Sequence, residues 1–321
     1  MRIRFCCSAL LTLVLACPLI TRAEQPPVLV QQWGTKGSGP GQFNFPCDIA
    51  VDGNGNVYVC DASNYRVQKF TSSGTFLSQW GSFGFGAGQF VGPWGIAISP
   101  GGVAFVADNG GDYRVEVFSA ATGAFLYQWG QQGSGPGQFY SPTGIAMDAS
   151  GALYICDAGN YRIQKFDSAG HFLTQWGTQG SGKGQFDYPR GIAIDPNGYV
   201  YVTDLNNHRV QKFTSNGAFI TQWGTLGYGA GQFYAPTGIG VDKYGNVYVG
   251  DLNNSSVQKF DSNGSWLSLW AVPAPEGVAV DQAMNIYVVS QQGTPQVSEF
   301  VYGGGTPTRS ASWGRIKSLY R

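Results

Sequence analysis

Histidine is scarce in this 321-residue chain: only His171 and His208 occur. A zinc site needs three or more converging ligands, and no cluster of that kind can be assembled around these two. No Ser-His-Asp order and no G-x-S-x-G elbow appears either. Asp52-Gly-Asn54-Gly-Asn56 resembles the first ligands of a calcium loop, but the twelfth position would be Ser63 rather than Glu. Related turns at Asp148, Asp195 and Asp242 carry the same start, so the motif reads as a hairpin turn. Gly-rich runs such as Thr35–Gly41 imitate phosphate loops, yet no helix follows them and no Lys-Ser/Thr pair ends them. Nucleophilic, zinc and phosphate chemistry are therefore unsupported.

What positions these residues is a repeat. Gln-Trp-Gly falls at Trp33, Trp80, Trp129, Trp176 and Trp223, and Trp270 opens a shortened sixth copy, at spacings of 47, 49, 47, 47 and 47 residues. A period of this length means a propeller or a solenoid. Each copy holds four strand-type runs, as in Gly144–Asp148, Ala152–Asp157, Arg162–Phe166 and Phe172–Trp176, with Gly, Asp, Asn and Ser between them. No window carries a 3.6-residue apolar period. Four strands per copy predict propeller blades. The fold class expected is all-β: a six-bladed β-propeller of four-stranded antiparallel blades. The last copy lacks a fourth strand, whereas Val28–Trp33 has the pattern of one, so the N-terminal strand is expected to close the ring.

The unit P-x-G-I-A-V-D, G-N-V-Y-V-x-D, N-x-R-V-Q-K-F, F-L-x-Q-W-G resembles the NHL repeat, over roughly residues 28–302. The resemblance implies a six-bladed propeller and leaves function open, because that family includes RNA binders, sensor domains, partner-binding modules and a lyase. The lyase branch uses histidines on zinc. His171 and His208 sit in loop classes that a propeller places on opposite faces, so that chemistry does not carry over. A carboxylate-based lactonase site, as in another six-bladed group, stays open.

Within the repeat, Asp61, Asp108, Asp157, Asp204 and Asp251 end the second strand, and Arg66, Arg114, Arg162 and Arg209 open the third. Recurrence marks them as frame, an Asp–Arg pair bracing the hairpin. Blade six has Ser290 and Gln296 instead, and blade five has Ser256 for the Arg. The Phe of each crossing loop and the Trp of each fourth strand are expected to wedge between blades. From Trp to the next strand-opening Pro there are 13 residues in five copies but 5 from Trp270 to Pro275, so blade six has lost its crossing loop.

Variation inside a constant frame is the functional signal. After the strand-opening Pro come Cys47, Trp94, Thr143, Arg190, Thr237 and Glu276, which should ring the mouth of the central channel beside Asp48, where the repeat has Gly. Tyr65, Tyr113, Tyr161 and His208 lie in loops on the same face. An aromatic, a cation and two acids around one funnel suit a small polar ligand or a peptide end. Cys47 and Cys60 are a candidate disulfide, since a hairpin closing around Asp52–Asn56 would set them opposite; otherwise they and Cys156 are small buried thiols.

Residues 1–23 read as a secretory signal with a basic start, an apolar run and a small-residue cleavage site. Val14-Leu15-Ala16-Cys17 leaves a lipoprotein alternative open, with Leu where a small residue is usual. Removing the signal and the basic-aromatic tail 306–321 leaves a propeller, 24–305, with 12 Lys and Arg against 19 Asp and Glu. That balance disfavours nucleic acid. The expectation is a secreted, periplasmic or cell-surface monomer with no cofactor, no bound metal and no membrane span. It would bind a protein, peptide or glycan rather than catalyse; the alternative is a propeller hydrolase or lyase with a funnel active site. The tail, with Arg309, Arg315, Lys317 and Arg321, reads as a sorting or retention handle, a frayed end, or a segment docked where blade six lacks its crossing loop.

Overall fold

Second and third strands such as Val57–Asp61 and Arg209–Phe213 are buried along their whole length. Alternation in these strands cannot separate core from solvent, because both faces of a blade are covered by its neighbours. The computed structural model describes residues 24–291 and 293–303. The expected signal at 1–23 and the tail at 306–321 lie outside the described residues. Six four-stranded antiparallel sheets stand around a central channel. Within each, the strand that opens with Pro is innermost and the strand that carries the Trp is outermost.

Val28–Trp33 supplies the outer strand of blade six, pairing with Gln296–Val301 in a register that includes Leu29 with Phe300 and Trp33 with Val297. Sequence-distant ends thus share one sheet and no blade is left with three strands. The chain just before this strand adds a second tie. The Glu24 backbone N–H donates to Leu267 O at 2.9 Å, and its carboxylate meets Lys259 Nζ at 2.6 Å, on blade five.

Aromatic wedges fill the seams. Phe43, Phe90, Phe139, Phe186 and Phe233 have no exposed surface. Trp80 lies between Tyr58 of its own blade, at 6.1 Å between ring centroids, and Phe118 of the next, at 6.0 Å. Burying one such ring stabilises by up to ~4–6 kcal/mol at ~25 cal/mol per Å². A positive-φ Gly faces five of the six Trp: at Gly217, φ is +85° and a Cβ would stand 2.5 Å from the Trp176 ring.

The Asp–Arg frame has a wider role than bracing a hairpin. In blade three, Arg162 Nε donates to Asp157 Oδ2 at 2.8 Å, while its two terminal nitrogens donate to the carbonyls of Ser134, Gly135 and Gln138 in the crossing loop. Asp157 Oδ1 accepts from Tyr140 N, and Gln164 binds both Gly137 N and Gln138 O. One buried side-chain network therefore holds the Gly-rich crossing that enters its blade, satisfying backbone groups that a loop would otherwise leave unpaired. Blade six has no crossing loop, and there Ser290 and Gln296 replace the pair. Network and loop are lost together.

The Asp52 turn is occupied by its own hairpin. Its carboxylate accepts from Asn54 N, Asn56 N, Asn56 Nδ2 and the Tyr58 hydroxyl at 2.8–2.9 Å. These bonds hold the Asp52 carboxyl below its usual range against the opposing effect of burial.

Candidate functional site

The innermost strands approach closely enough that the residue two after each Pro has to be Gly in five blades. A Cβ on Gly238 would come within 2.3 Å of Glu276 O, and the others meet neighbouring backbone in the same way. Blade one departs from this, with Asp48 at that position. Its strand carries an irregularity between Pro46 and Asp48, and the Asp48 carboxylate accepts from Ile96 N of blade two at 3.1 Å.

Five sequence-predicted residues come together around one cavity: Cys47, Asp48, Trp94, Arg190 and Glu276. Arg190 reaches across the mouth to form an ion pair with Glu276, and its guanidinium lies 5.4 Å from the Trp94 ring centroid. Phe45 also packs on Trp94, at 5.9 Å between ring centroids. Thr143 and Thr237 do not join them. Both are fully buried, and their hydroxyls donate to the next blade, Thr143 to Pro189 O at 3.0 Å and Thr237 to Pro275 O at 2.7 Å. They are seam residues, because a short hydroxyl near a neighbouring carbonyl is better satisfied there than in an open mouth.

Cys47 and Cys60 are free, buried thiols. The hairpin pairs Val51 with Val57 and Asp48 with Cys60, one residue away from the register that would face the two cysteines, and Cys47 sits in the irregularity. Burial pushes both thiols well above their ordinary range, so neither is a ready nucleophile.

Electrostatics single out the two acids. Burial pushes Asp48 up to about 7 although the N–H groups of Ile96 and Ile49 and the nearby Arg190 act against it. Burial likewise pushes Glu276 to about 7, opposed by Arg190 and reinforced by Asp48. Glu276 Oε1 is buried with no partner. The cavity holds about 30 Å³, room for about two waters where ~10–15 Å³ takes one. A sugar or lactone ring does not enter while Arg190 is in place. Among the described residues, no group of three or more His, Cys, Asp and Glu is arranged to hold a metal ion, and no helix is long and apolar enough to cross a membrane.

Around the mouth stands a feature that the channel positions alone do not reveal. Tyr65, Tyr113, Tyr161 and His208 hold φ of +49° to +56°, and Phe45 and Tyr188 hold +56° and +63°. These side chains pair with crossing-loop aromatics: Tyr65 with Phe83 at 4.9 Å, Tyr113 with Tyr140 at 5.3 Å, His208 with Tyr234 at 5.8 Å. Phe83, Phe85 and Tyr228 are 60%, 63% and 78% exposed. His171, in a turn at the opposite end of its strand, pairs with Asp167 and takes no part.

The family profile for the NHL repeat matches residues 43–70, 139–166, 186–213 and 233–260. Human E3 ubiquitin-protein ligase TRIM32 is 44% identical over 50 residues, 16% of this chain and 8% of that protein. Protein lin-41 of Caenorhabditis elegans is 45% identical over 56 residues, 17% of this chain and 5% of that one. The matches thus span less than a tenth of the length of these curated relatives. Among solved structures, a gluconolactonase from Xanthomonas campestris superposes with a TM-score of 0.63 at 15% identity, covering 88% of this chain and 99% of its own. A virginiamycin B lyase from Staphylococcus aureus gives 0.58 at 13%, covering 85% and 96%. At such identity these two share the fold. With four profile matches spread over a closed ring of six four-stranded blades, the chain is an NHL-repeat β-propeller.

Proposed function

We propose that this propeller is an exported, non-enzymatic binding module that takes a polypeptide on its loop-rich face. The observation that carries this reading is the crown of aromatic side chains in left-handed backbone. The blade geometry asks for positive φ at these turns, since Ser255, Ser141 and Ala235 have it too. Gly or Asn would meet that demand without strain, whereas a bulky residue costs ~1–2 kcal/mol. Of the strained rings, Phe45 is exposed and the others are half-buried beneath exposed crossing-loop aromatics such as Phe83. Strain kept at this rim is better explained by contact with a partner than by folding. Tyr and Phe on a rigid scaffold supply large contact area at low entropy cost. The propeller's excess of acidic residues favours a partner of basic or neutral character.

The alternative is a funnel hydrolase or lyase, favoured by one observation, the acids at Asp48 and Glu276 held near 7. The small cavity counts against it. A displayed random-peptide library selected on the protein decides between them. Peptides enriched on the parent should lose at least tenfold affinity for the combined Phe83→Ser, Phe85→Ser, Tyr228→Ser variant and keep it for Leu173→Ser on the outer wall. Export is tested in the same host, where deleting residues 1–23 should retain the protein inside the cell. Turnover of lactone or ester substrates that disappears in Asp48→Asn, with no peptide enrichment, would overturn the binding reading.

A further inference from the structure

We propose that the channel mouth is a seat for a primary ammonium group on a flexible chain, a lysine side chain or a chain amino terminus, bound beside Arg190. This deepens the polypeptide reading and rests on it for the carrier of the amine, while the amine chemistry stands on the mouth itself.

Charge comes first. The elements around the cavity contribute Asp48 from blade one, Glu276 from blade six and Arg190 from blade four; blades three and five bring Gly144, Gly238 and Ile239, and blade two brings Trp94. Two carboxylates therefore face one guanidinium. Arg190 engages only one side of Glu276, whose side chain borders the cavity, and leaves Oε1 buried without a partner. An acceptor in that state is unfavourable until a donor arrives. The Asp48 carboxylate accepts from Ile96 N, and the Ile49 N–H also acts on it. Without a guest cation the acids keep a proton to about pH 7.

Size and shape narrow the guest. Space for about two waters accommodates an ammonium head, which is close to a water in size, and excludes a sugar ring. Its three N–H donors match two carboxylates and a water, and the Trp94 face adds a cation–π surface already used by Arg190. A hard divalent cation would want six or more oxygens, and only two side chains here offer any. An anion would enter a mouth whose one cation is already paired. The repeat pattern agrees: Asp48 replaces a Gly that the packing enforces in the other five blades, so the carboxylate is an addition to the frame.

Calorimetric titration of the full chain at pH 8 and low salt, with both acids ionised, tests this. The probes are Nα-acetyl-lysine-N-methylamide for a side-chain amine, triglycine amide for an amino terminus, and the Nε-acetylated lysine derivative as neutral control. We expect one of the two amines to bind at one site, and the neutral control not to bind. Glu276→Gln and Asp48→Gly should each weaken binding about tenfold or more, and Arg190→Gln should tighten it about tenfold, because the guest then has both carboxylates to itself. Asp48→Gly restores the residue of the other blades, so it serves if Glu276→Gln melts early. Loss of binding in Arg190→Gln, equal binding of the neutral control, binding of acetate or calcium with the same variant dependence, or no binding by either amine would overturn the proposal. If library peptides that lack lysine and carry a blocked amino terminus still need Phe83, Phe85 and Tyr228, the amine seat fails while the polypeptide reading stands.

Discussion

Blades two and three build the same joint from different charges. In blade three a single acid, Asp157, is answered by Arg162, Asn160 and Gln164, and nearly every polar atom has a partner. In blade two the loop between the second and third strands is one residue longer, Gln becomes Glu116, and Asp112 is added, so that Asp108, Asp112 and Glu116 surround Arg114 alone. Arg114 still holds the crossing loop through Phe85, Gly86 and Gln89 carbonyls, but its Nε has no partner. Once ionised, Glu116 cannot donate to the Gln89 carbonyl as Gln164 donates to Gln138. Burial pushes it to about 7, opposed by Arg114 and reinforced by Asp108. The ring tolerates a poor joint because five other seams carry the fold, as in repeat architectures where stability sums over neighbours.

The largest expected effect breaks the good joint. Arg162→Ala strands Asp157 in the core and frees three loop carbonyls, and should cost about 3–5 kcal/mol, read from the denaturation midpoint. A loss near that of a surface ion pair, under about 1 kcal/mol, would mean that the network does not hold the loop. Next, Glu116→Gln should repair blade two. The folded protein keeps the Glu116 proton up to about pH 7, above the unfolded value. Its contribution is therefore fully present below the ordinary glutamate range and is lost as pH rises through 7. The variant's gain in melting temperature should be small near pH 4 and reach its plateau above pH 7, at up to about 2–3 kcal/mol. A pH-independent gain would show that charge is not the cause. The smallest effect is Ser256→Arg in blade five, where Asp251 and Gln258 still hold the loop and the buried Ser256 hydroxyl has no partner. Restoring the cation should add about 0.5–1 kcal/mol; a loss would show that blade five has closed over the space.

The fold was legible because it is stated six times, and the missing fourth strand of the last copy pointed to Val28–Trp33. The mouth was legible by register, which places Cys47, Trp94, Arg190 and Glu276 at one height on neighbouring inner strands. Thr143 and Thr237 share that register yet turn into the seams, since side-chain direction depends on which neighbouring carbonyl is within reach. The Cys47–Cys60 pairing failed by one residue because the turn holds five residues, Asp52 to Asn56, between the paired Val51 and Val57, which already sets Asp48 opposite Cys60. Phe45 and the partners of Tyr65 and Tyr113 were missed as a set. Phe45 carried the one sequence signal, an aromatic just before a Pro, where a turn prefers smaller residues; Phe83 and Tyr140 stand before Gly84 and Ser141 in the crossing loops and carried none. The surplus acids of blade two were hinted at by the spacing of 49 among 47s.

Ring closure also sets an order in time. The strand Val28–Trp33 is made first and its partner Gln296–Val301 last, so blade six stays incomplete until nearly the whole chain has emerged. Such distant pairing is slow to form, and meanwhile both unpaired edges are templates for another molecule. Two nascent copies can exchange first strands and close each other's rings, giving a swapped dimer with the same contacts as two monomers. Refolding from denaturant should therefore yield more dimer as concentration rises, although the finished ring presents no such edge.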